Sequence, residues 1–320
     1  MEIFGSDGFD TALTLTDNLD HLPSTKRREI ARVLEVIFDE VERYQSTKSA
    51  EHHRLGKVLK VILFGSYARG DWVEDRVSGY RSDYDILVVV NDHSFAEDDD
   101  LWLGLDDRLI QLQIAGHIKT PTSPIVHSLH DVNNQLAQGR PFFVDILRDG
   151  KSLYESDPHP LVQPKPLNPA EMKDEAQRYF GEWFEDATYW LQQAQNATKD
   201  NKPKHAAFNL HQATERAYHC LLLTTTLYSP KSHRIRSLRS KAEGIDARLI
   251  SAWPRDNRIS RRRFELLARA YVEARYSPKY QITGEELEWL IERVGILQAL
   301  VKDVCRERLH NGLAKGARTR

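Results

Sequence analysis

The chain has 320 residues, 40% hydrophobic and 29% charged, with a formal net charge of −2 at pH 7. That length accommodates two ordinary domains, and the balance is that of a soluble globular protein rather than a fibrous, disordered or membrane-spanning one. The start, MEIFGSDGFD, has neither a basic cluster nor an apolar run, and the strongest apolar stretches (61–64, 86–90 and 221–223) are far too short to cross a bilayer; a cytoplasmic protein with no membrane partner is expected.

The two cysteines, Cys220 and Cys305, each fall within a helical pattern, which leaves them as core residues and offers neither a disulfide framework nor a thiolate zinc site. Charge is unevenly spread: residues 1–169 carry 18 Lys and Arg against 28 Asp and Glu, whereas residues 170–320 carry 27 against 19. Such asymmetry suits docking of one half on the other, an anionic partner such as RNA for the second half, or a solvated basic surface.

In chain order, a helical pattern over 24–45 precedes a β-branched run at 58–64 and an apolar run at 84–90. Helical patterns near 100–112 and 131–138 then alternate with strand-like runs at 124–130 and 142–147. The alternation predicts an α/β domain over 1–157. The stretch from Asp157 to Pro169, DPHPLVQPKPLNP, holds five prolines and can continue neither a helix nor a central strand, so 158–169 reads as a linker. Beyond it, apolar residues recur at three- and four-residue spacing over 170–198, 204–227, 260–275 and 284–309, with Asn168-Pro169, Pro203 and Thr283 as start signals. This predicts an all-α helical bundle over 170–312 and a basic, mobile tail over 313–320. Gly181 and Gly295 mark candidate positions of close helix packing.

Two short motifs carry the chemistry. The run at 58–64 leads directly into Gly65-Ser66-Tyr67-Ala68-Arg69-Gly70, a glycine and a small hydroxyl residue at a strand-to-helix turn. Backbone N–H groups and the Ser66 hydroxyl at such a turn can approach a phosphate closely, although ordinary tight turns use the same residues. Then Ser82-Asp83-Tyr84-Asp85 opens an apolar strand, and a period of two places Asp83 and Asp85 on one face. Two like charges held together need a cation, and hard carboxylate oxygens suit Mg²⁺ shared with substrate phosphates; a solvated pair at a strand entrance is the simpler alternative.

Together, GSYARG and SDYDILVV resemble the DNA-polymerase-β-like nucleotidyltransferase superfamily, in particular its minimal bacterial members, over residues 25–155. The resemblance implies a mixed sheet flanked by helices, a nucleoside triphosphate held at Gly65 and Ser66 with Arg69 beside it, and Mg²⁺ or Mn²⁺ held by Asp83 and Asp85. It also implies a third carboxylate on a later strand, a role that Asp145 in the run at 142–147 fits by position. The segment between Gly70 and Asp83 is several residues longer than the family pattern, and is either a flap with Arg76 or Arg81 as acceptor contacts or a surface insertion.

The helical half resembles the HEPN domain, through the Gln212-Ala-Thr-Glu215 core, His233 with its following helical run, and Ala274-Arg-Tyr276. Many HEPN domains are metal-independent ribonucleases with Arg and His four to six residues apart; here Arg216/His219 and Arg306/His310 are spaced differently, and a solvated or structural role is expected for them. Basic residues at Arg234, Arg236, Arg239, Arg258 and Arg261–Arg263 offer an RNA or phosphate patch or a solvated helix start. The expected function is transfer of a nucleoside monophosphate, AMP from ATP, to a hydroxyl acceptor. By resemblance to nucleotidyltransferase–HEPN toxin–antitoxin pairs, that acceptor is a protein tyrosine, with Tyr271 and Tyr276 as candidates on the chain itself. An aminoglycoside-type small acceptor is a second reading, and a ribonuclease or nucleotide-sensing HEPN module regulated by the first domain a third. The helical domain is expected to supply the acceptor site, a homo-oligomer interface, or both.

Overall fold

The structure, a computed structural model, describes residues 19–48, 55–75, 80–122, 124–156, 159–165 and 167–311. The N-terminal 18 residues, Arg76 and the basic tail expected at 313–320 lie outside the described residues. The elements run α1 (Ser24–Thr47), β1 (Val58–Phe64), α2 (Gly65–Arg69), β2 (Glu74–Asp75), β3 (Tyr80–Arg81), β4 (Asp85–Val90), α3 (His93–Ala96), α4 (Asp99–Ile114), β5 (Ile125–Ser128), α5 (Leu129–Ala137), α6 (Pro141–Asp149) and β6 (Lys151–Glu155). Helices follow: α7 (Pro169–Lys199), α8 (Pro203–Thr226), α9 (Ile235–Ile245), a 3-10 turn (Ala247–Ala252), α10 (Arg258–Tyr276) and α11 (Gly284–Asn311). A mixed α/β part followed by a helical part is thus the architecture. Among the described residues, no helix is long and apolar enough to cross a membrane.

The chain divides into two compact units that are not contiguous in sequence. The first comprises Met1–Gly70, Tyr84–Asn133 and Asp149–Leu161, and the second Asp71–Asp83, Asn134–Arg148 and Val162–Arg320.

In the first unit a four-stranded sheet has the order β5-β4-β1-β6. β1 runs antiparallel to β4 and to β6, while β4 and β5 are parallel, so the sheet is mixed. β1 is buried along its whole length, as a central strand covered on both faces must be, and its Val58-Leu-Lys-Val-Ile-Leu-Phe64 run is correspondingly continuous rather than alternating. α1 buries Ile30, Val33, Leu34, Ile37 and Val41, a stripe at helical spacing. Its buried Glu40 pairs with Arg43 and with Arg108 of α4 (Nη1–Oε2 3.4 Å), so that the charge is not left isolated.

In the second unit α8 is the central helix, packed by α7, α9, α10 and α11. Its Ala206, Ala207, Ala213 and Ala217 are fully buried, and such small side chains let neighbouring helices approach closely. Trp253 is buried beside Phe264, and its indole N–H donates to the Tyr218 hydroxyl at 2.8 Å, which satisfies the polar edge of a large core residue. Cys220 and Cys305 are free and buried, as their helical context implied. Within the extension between Gly70 and Asp83, β2 pairs antiparallel with β3. At its base the Ser82 and Val73 segments exchange 2.9 Å bonds through Ser82 N–Val73 O and Val73 N–Ser82 Oγ, and the Arg255 guanidinium lies 5.6 Å from the centre of the Tyr80 ring.

One element corrects the sequence reading. Residues 142–147, read as a strand, belong to α6. A short apolar run is ambiguous between the two states; here Pro141 is suited to a first helical position, and the residues that bury, Phe143 and Ile146, are spaced by three. The Phe142 ring stacks on Tyr228 at 4.2 Å, and Arg140 pairs with Glu175 at 2.6 Å, fixing α6 within the second unit. Because Leu290 is fully buried and Ile259 is 62% exposed, Leu290→Ala should lower stability by about 2–5 kcal/mol and Ile259→Ala by less than about 0.5 kcal/mol. Urea unfolding followed by far-UV circular dichroism measures both; equal losses would contradict this packing.

Candidate functional site

The antiparallel pairing of β1 with β4 sets Phe64 opposite Asp85. The end of β1 therefore delivers Gly65 and Ser66 beside the start of β4, where the aspartates stand. Gly65 has φ +70° and Gly70 φ +88°, a region glycine enters without steric cost. At Gly65 a second reason operates: a β-carbon there would overlap the Asp85 carboxylate. The missing side chain is the space that the carboxylate occupies. α2 is a single turn, closed by Gly70 N donating to Ser66 O at 2.9 Å; its peptide groups rather than a long helix dipole are what a phosphate would meet.

Asp83 and Asp85 are half-buried and flank the fully buried Tyr84, the alternation that puts both carboxylates on one side of the extended chain and the phenol on the other. Tyr84 N donates to Pro121 O at 2.8 Å, and Tyr84 forms a parallel bridge with Thr122. Its hydroxyl donates to Glu29 Oε2 at 3.0 Å. Burial, reinforced by the Glu29 carboxylate, holds the Tyr84 phenol above its ordinary pKa and keeps it a donor. Arg69 is exposed. Asp145 lies on α6 instead of on a strand, is 54% exposed, and pairs with Arg148 at 2.9 Å. Among the described residues, no group of three or more His, Cys, Asp or Glu side chains gathers as a metal cage. Two hard carboxylates without a third still suit Mg²⁺, which keeps waters and takes its remaining oxygens from substrate phosphates.

In the helical unit, Arg216 is engaged with Asp186 at 3.1 Å and lies over Trp183, while His219 is buried with Nδ1 2.6 Å from Ser229 Oγ. Arg306 and His310 are exposed near the end of α11. Much of the basic patch is internally neutralised: Arg236 pairs with Glu265, Arg239 with Glu243, Arg262 with Glu286 and Arg263 with Glu285. The spacing of four along α8 places His211, Glu215 and His219 on one face, but the return of His233 to the buried Glu215 was not legible in it. His233 Nδ1 is 3.1 Å from both Glu215 oxygens, with His211 and His219 one turn to either side at 3.7 and 4.0 Å. Burial raises the Glu215 pKa, against the opposing pull of His233. Burial also lowers His211 to about 3 and His219 to about 4, so both imidazoles are neutral near pH 7.

Two expectations follow. Gly65→Ala carries backbone strain plus overlap with Asp85, whereas Gly70→Ala carries strain with its nearest neighbour, His21 Cδ2, at 3.7 Å. Gly65→Ala should therefore be the more destabilising, by on the order of 1–3 kcal/mol, in urea unfolding; equal losses would remove the Asp85 contact. Further, the unfolded chain protonates His211 and His219 below about pH 6.5 while the folded chain resists, so stability is lost as pH falls from there toward 4, by up to about 1.4 kcal/mol per pH unit per histidine. Glu215, shifted upward, acts in the opposite sense but is one group against two. The His211→Gln/His219→Gln variant should flatten the fall of the melting temperature between pH 6.5 and 4.5, and an unchanged slope would contradict this assignment.

A nucleotidyltransferase-domain family model matches residues 48–121, which span β1, the Gly65–Gly70 turn and β4. A HEPN-domain model matches residues 180–304, from within α7 to within α11. No curated protein matches the chain. The motif pair at the β1–β4 edge and the helical unit that follows thus have family counterparts in the same order: the chain contains a nucleotidyltransferase domain over residues 48–121 followed by a HEPN domain over residues 180–304.

Proposed function

We propose that the chain transfers a nucleoside monophosphate, AMP from ATP, to a hydroxyl acceptor, with Asp83 and Asp85 holding Mg²⁺ or Mn²⁺ against the triphosphate. The observation that supports this most directly is the Asp85 carboxylate lodged against the side-chain-free Gly65, one residue before Ser66. That arrangement offers a metal-binding oxygen and a phosphate-binding turn at one strand edge. A bound divalent ion would neutralise the triphosphate and make the acceptor hydroxyl more acidic.

The chain's own groups then have distinct tasks. Gly65 N–H, Ser66 N–H and the Ser66 hydroxyl hold phosphate oxygens, and Arg69 adds charge at the turn's end. Asp83 and Asp85 would hold the divalent ion through which the α-phosphate is positioned. The acceptor oxygen forms its bond to the α-phosphorus as the bond to pyrophosphate breaks, and the hydroxyl proton passes to a nearby carboxylate or to water. We retain Asp145 as the candidate third carboxylate, although it stands on a helix. For acceptor, Tyr276 is favoured over Tyr271: Tyr276 is 73% exposed, whereas Tyr271 is stacked against His233 at 4.5 Å. Transfer between copies of the chain is compatible with the proposed homo-oligomer.

A second reading, a small polycationic acceptor of aminoglycoside type, gains support from an open groove of about 400 Å³ lined by Glu182, Trp183, Glu185, Asp186, Tyr189 and Arg216. Three carboxylates beside two aromatic rings suit an amine-rich ligand. The ribonuclease reading gains nothing from Arg216 and His219, which are committed to Asp186 and Ser229.

Incubation of the full chain with Mg²⁺ and each α-labelled nucleoside triphosphate, with and without an aminoglycoside mixture, tests these readings. Label should appear on the protein and be lost in Asp83→Ala/Asp85→Ala and Tyr276→Phe, while Asp145→Asn reports whether that carboxylate takes part. Label on the drug alone would establish the second reading. Tight metal-dependent nucleotide binding without transfer would indicate another acceptor, and no binding at all would end the catalytic reading.

A further inference from the structure

Tyr84 is held more elaborately than a buried aromatic ring requires. Its side chain is fully buried and packs 4.5 Å from the Tyr67 ring, so a phenylalanine would fill the same space. Yet its hydroxyl reaches Glu29 of α1 at 3.0 Å, and Glu29 has two further donors: Oε2 also accepts from Thr120 Oγ1 at 2.9 Å, and Oε1 from Lys119 N at 3.0 Å. The Lys26 ammonium, one turn before Glu29, donates to Thr120 Oγ1 at 2.8 Å. A carboxylate partly withdrawn from water and given three donors is a rigid anchor, because each bond restricts the others.

The anchor bears on the aspartates through chain geometry. Asp83 and Asp85 are the immediate neighbours of Tyr84, and in an extended chain rotation of the central residue about the strand axis swings both flanking side chains together. The backbone at Tyr84 is fixed by Pro121 O and the Thr122 bridge, and the far tip of the side chain by Glu29. The ring also abuts Tyr67, the residue after Ser66, so one side chain links the carboxylate pair, the phosphate turn and the first helix.

We propose that Glu29 is a positioning residue for the Asp83/Asp85 pair, acting through the Tyr84 hydroxyl and sharing its carboxylate with Thr120 and the Lys119 amide. The inference rests on the metal-binding reading of that pair. Glu29 touches neither metal nor substrate; it sets the angle at which two carboxylates are presented. Outer partners that orient metal ligands influence affinity for the ion strongly, by about 10- to 100-fold, and an arrangement acting through one intervening residue belongs at the lower end of that range.

The test uses the full chain with a non-hydrolysable ATP analogue, and titrates Mn²⁺ by electron paramagnetic resonance, which reads binding without turnover. Tyr84→Phe keeps the ring and deletes only the hydroxyl; Glu29→Ala removes the anchor, and Glu29→Gln retains one acceptor oxygen. Mn²⁺ affinity should fall about tenfold in Tyr84→Phe and Glu29→Ala and be partly restored in Glu29→Gln. In a separate turnover assay with ATP, nucleotide KM at saturating metal should stay close to wild type while kcat falls. Wild-type Mn²⁺ affinity in Tyr84→Phe and Glu29→Ala, with only the melting temperature lowered, would overturn the proposal and leave Glu29 as a brace of the fold. Tyr84→Phe decides the matter alone if Glu29→Ala does not fold. If Asp83→Ala/Asp85→Ala binds Mn²⁺ as wild type does, it is the metal-binding reading itself that fails, and the inference falls with it.

Discussion

The site depends on the antiparallel ladder between β1 and β4. Phe64 opposite Asp85 converts two motifs that are twenty residues apart into neighbours at one sheet edge, and it does so with backbone hydrogen bonds that carry no information about chemistry. The chemistry lies in what the ladder cannot supply. A glycine leaves room where a carboxylate must sit, and an alternating Asp-Tyr-Asp puts two charges on one face and a deeply buried ring on the other. Slipping the register by one residue would exchange those faces, burying the carboxylates and exposing the tyrosine. The apolar run of β4 after Asp85, buried from Ile86 to Val90, makes such a slip costly.

Much of this was legible in the chain. β1 coincides with the predicted run, and the helices of the second unit fall within a few residues of their expected bounds, because long periodic segments between prolines leave little ambiguity. α9 follows His233 where a short helical run was expected, whereas the 3-10 turn was not foreseen as an element. α6 was misread because six residues rich in Phe, Val, Ile and Leu satisfy a strand pattern, and neither Pro141 nor the spacing of its burial outweighs that locally. β2 and β3 have two residues each, too few to leave a periodicity. β6 is a short strand whose buried Leu153 is flanked by polar residues, and only its pairing with β1 defines it.

The candidate functional residues divide in the same way. Gly65, Ser66, Asp83 and Asp85 are recognisable because their spacing is local. Glu29, Thr120 and Tyr84 are separated by more than fifty residues along the chain at one step, and nothing in the sequence marks α1 as the source of a buried acceptor. The histidines about Glu215 illustrate a different limit. His211, Glu215 and His219 are spaced by four along α8, which predicts one face, but only the fold turns that face inward and brings His233 back from the following connection. Burial then decides the chemistry, holding two of the imidazoles neutral.

The interleaving of the two compact units has a consequence for how the protein is made. The segments Asp71–Asp83 and Asn134–Arg148 have their packing partners among residues beyond Val162, so a chain emerging from the ribosome presents β2, β3 and α6 long before the helices that receive them. Loops closed over such separations form slowly, and unpaired apolar segments exposed in the interval invite association with other chains. Asp83 belongs to the unit that includes the helical half, and Asp85 to the other. A nascent chain halted at the Pro-rich segment would carry both aspartates without most of the unit to which Asp83 belongs.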